Sequence, residues 1–453
     1  MIGWDPAYKV SINVRSNAAA AHITKGNSSR RQVLILGAAL LVISGGGCRA
    51  VDTRFKSVDS CALALAPHSG ADAIDREIIR LQQAAHTAGD QTRMLEQLGW
   101  AYIQKSRISF DQSFYKLAEQ CAICIESQLS DSAEALLLRG HVVYSLHRFR
   151  EAEAIARRLS ETRAAPFDFG LLGDALMEQG RLNEAVGAYQ KMLDLKPGPQ
   201  AYIRVAHIRW LKGDLEGALE MIRKATASMG PRDAESLAWA YARMALYELQ
   251  NGSAKNAEGA CQAALQMQAN YAPALSARSR ALLAQNRNEE SVRLMKLAAS
   301  INPTLENKWL LAEALRASGR NDEARDVEDA LIQTGAAEDP RTLSLFLATR
   351  REQPETALKL VTQEVKSRDD VFTLDALAWA LASVGRVGEA YEAMQRAVAE
   401  GTKDARLFYH AGSIAAMNGK KLEARAMLNR AAAIKQMLLP TEREGLSKAL
   451  AQL

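Results

Sequence analysis

Two cysteines three positions apart, Cys121 and Cys124, have a spacing that proteins use for metal, haem and redox chemistry. A Cys-x-x-Cys pair binds zinc when a second pair of ligands accompanies it, and attaches haem when a histidine follows. Here no histidine follows Cys124 and no second ligand pair is present. Both cysteines fall within one predicted helical stretch, 117–127, where a disulfide between them has poor geometry. We therefore interpret them as small residues of the core.

The other reactive residue types are dispersed along the chain. The seven histidines are scattered, and Cys61 and Cys261 have no evident partner in the sequence. No glycine-rich phosphate loop occurs, and neither paired carboxylates nor a Ser/His/Asp set can be argued from the spacing. The sequence therefore predicts a protein without catalytic residues, without a metal site and without a cofactor.

Composition and charge narrow the class of protein further. The 453 residues are 48% hydrophobic but only 6% aromatic, with 11 prolines, which favours an all-α fold with many small, close helix interfaces. From Cys48 onward, 52 basic residues are balanced by 51 acidic ones. A protein that binds nucleic acid through its phosphates needs a net basic face. The balanced charge therefore argues against nucleic acid as the partner.

A small residue recurs along the chain at intervals of 33 or 34 residues, with one interval of 39. Most units have a second small residue twelve positions earlier, and a glycine or asparagine five positions earlier that permits the left-handed conformation ending a helix. Each unit is therefore predicted to be a helix–turn–helix pair whose apolar face only the next pair can cover. The recurring residues are Ala118, Ala152, Ala185, Ala218, Ala257, Ser291, Ala324, Ala357, Ala390 and Ala424.

The segment Leu172–Leu176, followed by Gly180–Ala185, Tyr189 and Pro197, shows this spacing most completely. A period near 34 with these small residues and this turn glycine resembles the tetratricopeptide-repeat family, over residues 91–436. The resemblance implies an all-α, right-handed α-solenoid of about ten helix–turn–helix repeats.

Three departures from the period predict local irregularities. The first hairpin has about seven extra residues around 106–112, and the interval of 39 residues predicts a longer loop at 228–231. The unit around Leu345 and Glu352 lacks both its small residue and its turn glycine. We expect this unit to be distorted.

The resemblance also implies where a partner would bind, because the first helix of each tetratricopeptide pair lines a concave groove. Positions eighteen, fifteen, eleven and eight residues before each recurring alanine bring all five tryptophans of the body onto that face. Tryptophan, tyrosine and arginine dominate binding hot spots. The predicted partner-binding residues are Trp100, His141, Tyr144, Asp174, His207, Trp210, Trp239, Arg280, Trp309, Glu313, Trp379 and Tyr409.

A specific expectation follows for two of these rings. If Trp210 and Trp309 are exposed in the groove, replacing them with alanine removes partner binding and leaves helical content and melting unchanged. The alternative is that the rings pack between neighbouring first helices, in which case the same replacements impair folding.

Residues 29–48 have the features of an export signal. Arg30 and Arg31 precede an uncharged run of about fifteen residues, which is short for a membrane-spanning helix. The segment resembles the bacterial twin-arginine signal, and Cys48, after three glycines, resembles a lipidated lipoprotein cysteine. The expected location is the periplasm or the outer membrane of a bacterium, anchored at most by that lipid. An uncleaved inner-membrane anchor is the alternative.

Together these features predict an export signal at 1–48, a flexible tether at 49–72, a tetratricopeptide superhelix at 73–440 and a C-terminal capping helix at 441–453. The predicted function is a non-catalytic scaffold that holds a protein or peptide partner in the aromatic-lined groove. A substrate-recruiting subunit of an envelope enzyme complex and a glycan- or peptidoglycan-binding module are the alternatives. The repeats extend almost to residue 436, so we expect no catalytic domain within these 453 residues.

Overall fold

The computed structural model describes residues 59–87, 89–230 and 234–453, which form 23 α-helices and contain no β-strand. Two N-terminal helices, α1 (Ser60–Ala64) and α2 (Ala73–Thr87), precede ten antiparallel helix pairs. A 3₁₀ turn at Lys435–Met437 and a last helix, α23 (Pro440–Ala451), follow them.

Each pair packs against the next, so the ten pairs form one continuous solenoid. The pairs are α3 (Gln91–Ser109) with α4 (Ser113–Gln128), α5 (Ala133–Ser145) with α6 (Phe149–Thr162), α7 (Pro166–Glu178) with α8 (Leu182–Leu195), α9 (Pro199–Leu211) with α10 (Leu215–Ser228), α11 (Ala234–Gln250) with α12 (Ala254–Met267), α13 (Ala272–Ala284) with α14 (Asn288–Ile301), α15 (Leu305–Ala317) with α16 (Asn321–Glu338), α17 (Pro340–Arg350) with α18 (Pro354–Glu364), α19 (Val371–Ser383) with α20 (Val387–Val398), and α21 (Ala405–Met417) with α22 (Lys421–Ala433).

The two helices of a pair are buried to different extents. The first helix is enclosed on nearly all sides, whereas the second buries one narrow apolar stripe, as α14 does with Ser291, Val292, Met295 and Ala298. The small residues of the repeat allow the helices to approach this closely. A Cβ atom added at Gly173 would lie 2.3 Å from the Tyr189 ring. The predicted all-α solenoid and the role of its small residues are therefore confirmed.

The turn within each pair has the predicted left-handed residue. Gly180, Gly213, Gly319 and Gly419 have φ between 73 and 83°, and Asn286 has φ of 59°. An L side chain in this region costs roughly 1–2 kcal/mol, whereas glycine adopts it freely. The glycine positions are thus fixed by backbone conformation.

Two of the units predicted to be irregular, the first unit and the unit around Leu345, differ from the others in different ways. The extra residues of the first unit lengthen α3 to 19 residues, and Arg107 near its end pairs with Glu235. In the unit around Leu345, both helices have only 11 residues, and Arg351 takes the left-handed conformation with φ of 55°. The position of the missing turn glycine is Glu352, and the residues on either side of it, Arg351 and Gln353, take the left-handed conformation instead.

The second helices begin with an arginine–glutamate pair three residues apart. Arg181 bonds Glu184, and Arg320 and Arg386 make the equivalent contacts with Glu323 and Glu389. Several of these glutamates also pair with the preceding unit, as Glu184 does with Arg157. Exposed pairs of this kind contribute little individually, about 0–1 kcal/mol each.

The solenoid closes on itself through a contact that the sequence did not predict, here called the closure seam. It joins the turns near Gly180, Gly213 and Gly252 to the loops 366–370, 400–404 and 435–437, six units later. Thr402 donates its hydroxyl to the Leu211 carbonyl at 2.6 Å, and the Trp210 indole donates to the Lys403 carbonyl at 3.1 Å. These residues lie 191 and 193 positions apart in the chain.

A buried ion pair stabilises the same seam. The Arg368 Nε lies 2.9 Å from a Glu178 oxygen, and the two side chains are only 2% and 6% exposed. The Arg368 guanidinium also lies over the Phe149 ring, and Asp370 is 3.4 Å away. Burial lowers the pKa of Arg368 to about 10 and raises the pKa of Glu178 well above its ordinary value. The seam is thus a desolvated interface.

Residues 59–72 were predicted to belong to a flexible tether, and the structure corrects this. Cys61 in α1 forms a disulfide with Cys124 in α4. Tyr102 donates its hydroxyl to the Ala64 carbonyl, and His68 lies 2.8 Å from Asp75. The interpretation of Cys124 as a plain core residue is therefore wrong, because its partner lies 63 residues away instead of within the Cys-x-x-Cys pair. Cys61, for which the sequence showed no evident partner, is that partner.

Reducing this disulfide should lower stability measurably. The bond closes a loop of about sixty residues, and such a bond typically contributes about 2–4 kcal/mol. We expect a lower melting temperature in the presence of a reductant, with hydrogen exchange increasing first in α1 to α4. In the matched variant Cys61→Ser, the reductant should have no further effect. An equal response of both proteins would contradict the assignment.

Candidate functional site

Eleven of the twelve residues predicted to bind a partner are buried, each at most 9% exposed. Trp100 alone is half-buried. The prediction of an open aromatic groove is therefore wrong in its geometry, because the closure seam, the neighbouring first helices and α23 cover this face. Trp210 and Trp309 are 5% and 3% exposed, so their replacement by alanine is now expected to destabilise the fold by about 3–5 kcal/mol. Whether these residues contribute to partner binding stays a prediction.

Four of these residues line a cavity of about 170 Å³ inside the closed solenoid, here called the chamber. Its wall combines aromatic rings with charged groups of both signs, drawn from eight of the first helices and the loops of the seam. The four predicted residues are His207, Trp210, Arg280 and Trp309. The charged residues of the wall are Arg243, Arg280, Arg341, Arg406, Glu178, Glu306, Asp370, Asp375 and Asp404.

Two pairs of opposite charges lie within the chamber wall. Arg280 lies 2.8 Å from Glu306 on the next first helix, and Arg341 lies 3.4 Å from Asp370. With these pairs and the remaining charged groups, the wall presents charges of both signs. Such a surface suits a ligand that itself carries polar groups of both kinds.

Two tryptophans, Trp210 and Trp309, line the chamber and pack against side chains of neighbouring elements. Trp210 stacks on Phe372 across the seam, with ring centroids 5.5 Å apart. Trp309 donates its indole N–H to Glu313 at 3.3 Å, and the Arg406 guanidinium lies 5.2 Å from its ring centroid. Both indole N–H groups are therefore satisfied within the protein, as expected for buried tryptophan.

Asp174 and His141 belong to the interior of the helix stack instead. Asp174 is fully buried and accepts two bonds from Arg204, at 2.7 and 2.9 Å, and one from Tyr189. Burial raises the pKa of Asp174 to about 6, an effect that Arg204 opposes. Burial lowers the pKa of His141 to about 3, assisted by the positive charge of Arg204. The pair Asp174–Arg204 is thus structural.

The remaining predicted residues pack against side chains of neighbouring helices. Trp100 contacts His141 edge to face, and Tyr144 donates to Glu178 at 3.4 Å. The guanidinium of Arg243 lies 5.6 Å from the Trp239 ring. Trp379 stacks on His410, which in turn bonds Asp375 at 2.8 Å and lies beside Tyr409. The predicted residues that do not line the chamber here are Trp100, Tyr144, Trp239, Trp379 and Tyr409.

The sequence interpretation missed several residues of the chamber. Glu306 and Arg406 lie eighteen positions before Ala324 and Ala424, so the counting rule that identified Trp309 could have found them. Asp370 and Asp404 precede their helices and reach the chamber only because the seam closes. For them the sequence contains no comparable signal.

Two further predictions concern membrane attachment and metal. Cys48 and the export signal at 1–48 lie outside the residues that the structure describes, as does the first part of the tether. Among the described helices, none is both long and apolar enough to cross a bilayer. Within the same described residues, no group of three or more histidine, cysteine or acidic side chains is placed to hold a metal ion.

Comparison with known proteins adds the following findings. Residues 171–234 match the family model described as tetratricopeptide repeat. A comparison with curated protein sequences gave no match. Human IFIT1, solved as a dimer with PPP-AAAA, is 14% identical, covers 83% of this chain and 93% of its own, and gives a TM-score of 0.46. PilF of Pseudomonas aeruginosa is 13% identical, covers 44% of this chain and 90% of its own, and gives a TM-score of 0.38. Yeast Tom70 is 14% identical, covers 83% of this chain and 96% of its own, and gives a TM-score of 0.36.

The fold and the repeated geometry define an all-helical repeat solenoid, built from stacked helix–turn–helix pairs. The family match covers most of the third pair and all of the fourth, and ends at Ala234, the first residue of α11. Over these residues the chain matches the tetratricopeptide-repeat family, and the pairs on either side continue the same helix–turn–helix geometry. Proteins of this class are generally non-catalytic and serve as scaffolds for interactions with other proteins or peptides.

Proposed function

We propose that this protein is a non-catalytic scaffold that binds a segment of a partner protein or peptide at its chamber. The observation that carries the proposal is the concentration of nine ionisable side chains on one interior wall. Stacking of the helix pairs requires only apolar stripes and small residues, and burying charge is costly. A wall of charged groups and aromatic rings is therefore better explained by recognition of a polar ligand than by folding alone.

The size of the chamber limits what can enter. A cavity of about 150 Å³ is sufficient to hold a benzene molecule, and the chamber has about 170 Å³. It therefore accommodates one or two side chains or the end of a chain, and excludes a folded domain. The rest of the partner would lie along the outside of the solenoid.

The proposal includes export from the cytoplasm. The Cys61–Cys124 disulfide supports it, because disulfides persist in oxidising compartments and are rare in the cytosol. The segment 29–48, with its paired arginines and uncharged run, supports it independently. We therefore place the scaffold in a bacterial cell envelope, with lipidation of Cys48 as the proposed means of attachment.

Site-specific photo-crosslinking tests the proposed function. A benzoylphenylalanine replaces Leu345, which lines the chamber, or Asp322, whose side chain is 90% exposed on the outer face. Both proteins are irradiated in envelope extracts of the source organism. We expect a discrete partner adduct from position 345 and only background from position 322. No adduct from position 345, or equal labelling from both positions, would rule out binding at the chamber.

A further inference from the structure

The last helix, α23, is attached to the solenoid in an unusual way. It buries only two side chains, Glu442 and Leu446, whereas the preceding first helix, α21, buries ten. Its seat is formed by α15, α21 and α22. Ala449 and Leu450 of α23 pack against the core but are only partly buried. Because one fully buried apolar side chain contributes only about 1.5–3 kcal/mol, the polar contacts of α23 supply much of what fixes its position.

These polar contacts are concentrated at the N-terminal turn of α23. The Thr441 backbone N–H donates to Glu313 at 3.0 Å, and the Thr441 hydroxyl donates to the same carboxylate at 2.8 Å. Arg406 donates to the Glu442 carboxylate at 2.5 Å. Arg443 donates to the Leu283 carbonyl at 3.0 Å, which attaches the helix to the end of α13.

These contacts are specific for the N-terminal end of a helix. The free N–H groups and the positive end of the helix dipole favour a carboxylate, which Glu313 supplies. Arg406 supplies the cation for the acidic side chain that follows, in a charge-assisted bond. Trp309 fixes both groups, since it donates to Glu313 and its ring lies beneath Arg406. We call Trp309, Glu313, Arg406 and Tyr409 the helix cradle.

We propose that the helix cradle is the docking site for a helix of the partner protein, and that α23 occupies it in the free protein. The partner helix is expected to carry a hydroxyl residue followed directly by an acidic residue in its first turn, as Thr441 and Glu442 do. This inference rests on the proposed function and specifies its ligand. It also explains why Glu313 and Tyr409 are buried although their positions belong to the inner face: Thr441 and Gly445 of α23 lie against them.

The test uses the full-length chain and a fluorescent synthetic peptide of residues 438–453 as the stand-in for the partner helix. A Cβ atom at Gly445 would lie 2.2 Å from the Tyr409 hydroxyl oxygen, so Gly445→Ala displaces α23 while favouring its helical state. Ser447→Ala, on the exposed side of α23, is the matched control. By fluorescence anisotropy, we expect the peptide to bind Gly445→Ala about tenfold or more tightly than wild type or Ser447→Ala.

A second comparison tests the chemistry of the cradle. A peptide with Glu442→Ala should bind the Gly445→Ala chain about tenfold more weakly, because the partly buried Arg406 then lacks its carboxylate. Thr441→Ala in the full-length chain provides a second means of releasing α23, with circular dichroism confirming that each variant is folded. Equal peptide binding by wild type and both released variants, or equal binding of the two peptides, would overturn the proposal.

The peptide-binding test and the crosslinking experiment give results that are independent of each other. Tighter peptide binding after release of α23, together with no partner adduct from position 345, would support the cradle and reject the chamber as the partner site. A partner adduct from position 345 without any gain in peptide binding would support the proposed function and reject the cradle.

Discussion

Replacing Gly180 with alanine is expected to destabilise the protein by about 3 kcal/mol. Gly180 has φ of 73°, where alanine is strained, and its added Cβ would lie 2.2 Å from the Asp369 carbonyl oxygen across the closure seam. The strain costs roughly 1–2 kcal/mol and forcing atoms into a packed interface typically 1–3 kcal/mol. A backbone oxygen cannot rotate away, so the seam itself must separate.

Gly319→Ala provides the matched control. Gly319 has almost the same φ, 75°, and occupies the same turn position, but nothing lies within 4 Å of its added Cβ. We expect this variant to lose only about 1 kcal/mol, the cost of the backbone conformation. Denaturant unfolding gives both values, and hydrogen exchange at residues 366–370 and 400–404 reports separation of the seam. Equal losses in the two variants would show that the seam does not contribute to stability.

Replacing Arg368 with alanine is expected to cost about 3–5 kcal/mol. The change removes the cation that Glu178 faces and one of the two that Asp370 faces, and it leaves the Glu178 carboxylate in a desolvated interface. It also removes the guanidinium from the Phe149 ring. The expected signs are a large fall in the free energy of unfolding and a wider solution radius by X-ray scattering, because the two turns of the solenoid separate.

Arg386→Ala tests whether this cost is specific to the seam. Arg386 also pairs with a carboxylate, Glu389, but both side chains are half-exposed, at 50% and 57%. Removing such a pair typically costs 1 kcal/mol or less, and the solution radius should not change. If Arg368→Ala behaves like Arg386→Ala, the buried pair has no role in closure.

Most of the repeated architecture could be predicted from the sequence because it depends on residues close together in the chain. The turn conformation of Gly180 and the close approach of Gly173 to Tyr189 are both set within one helix pair. Small residues and turn glycines at fixed spacing encode such local geometry directly. The same reasoning located the lengthened α3 and the irregular unit around Leu345.

The closure seam and the chamber could not be predicted from the sequence, because they depend on the summed rotations of many helix pairs. The contact between Thr402 and Leu211 arises only after small rotations of six successive helix pairs have added up. No single residue determines this sum. The counting rule placed Trp210 and Glu313 on the correct inner face, but their exposure depends on the seam and on α23. In the same way, the pairing of Cys61 with Cys124 depends on how α1 lies against α4.

Closure also constrains how such a chain can evolve. In an open array of repeats, a unit can be duplicated or deleted at many places with little effect on distant ones, because each unit contacts only its neighbours. Here the turns near Gly180 and Gly213 match loops that lie six units later. A duplication between them would place every one of these contacts one unit out of register. The number of repeats between the two sides of the seam is therefore tied to its closure, much as the strand number of a closed β-barrel is tied to its shape.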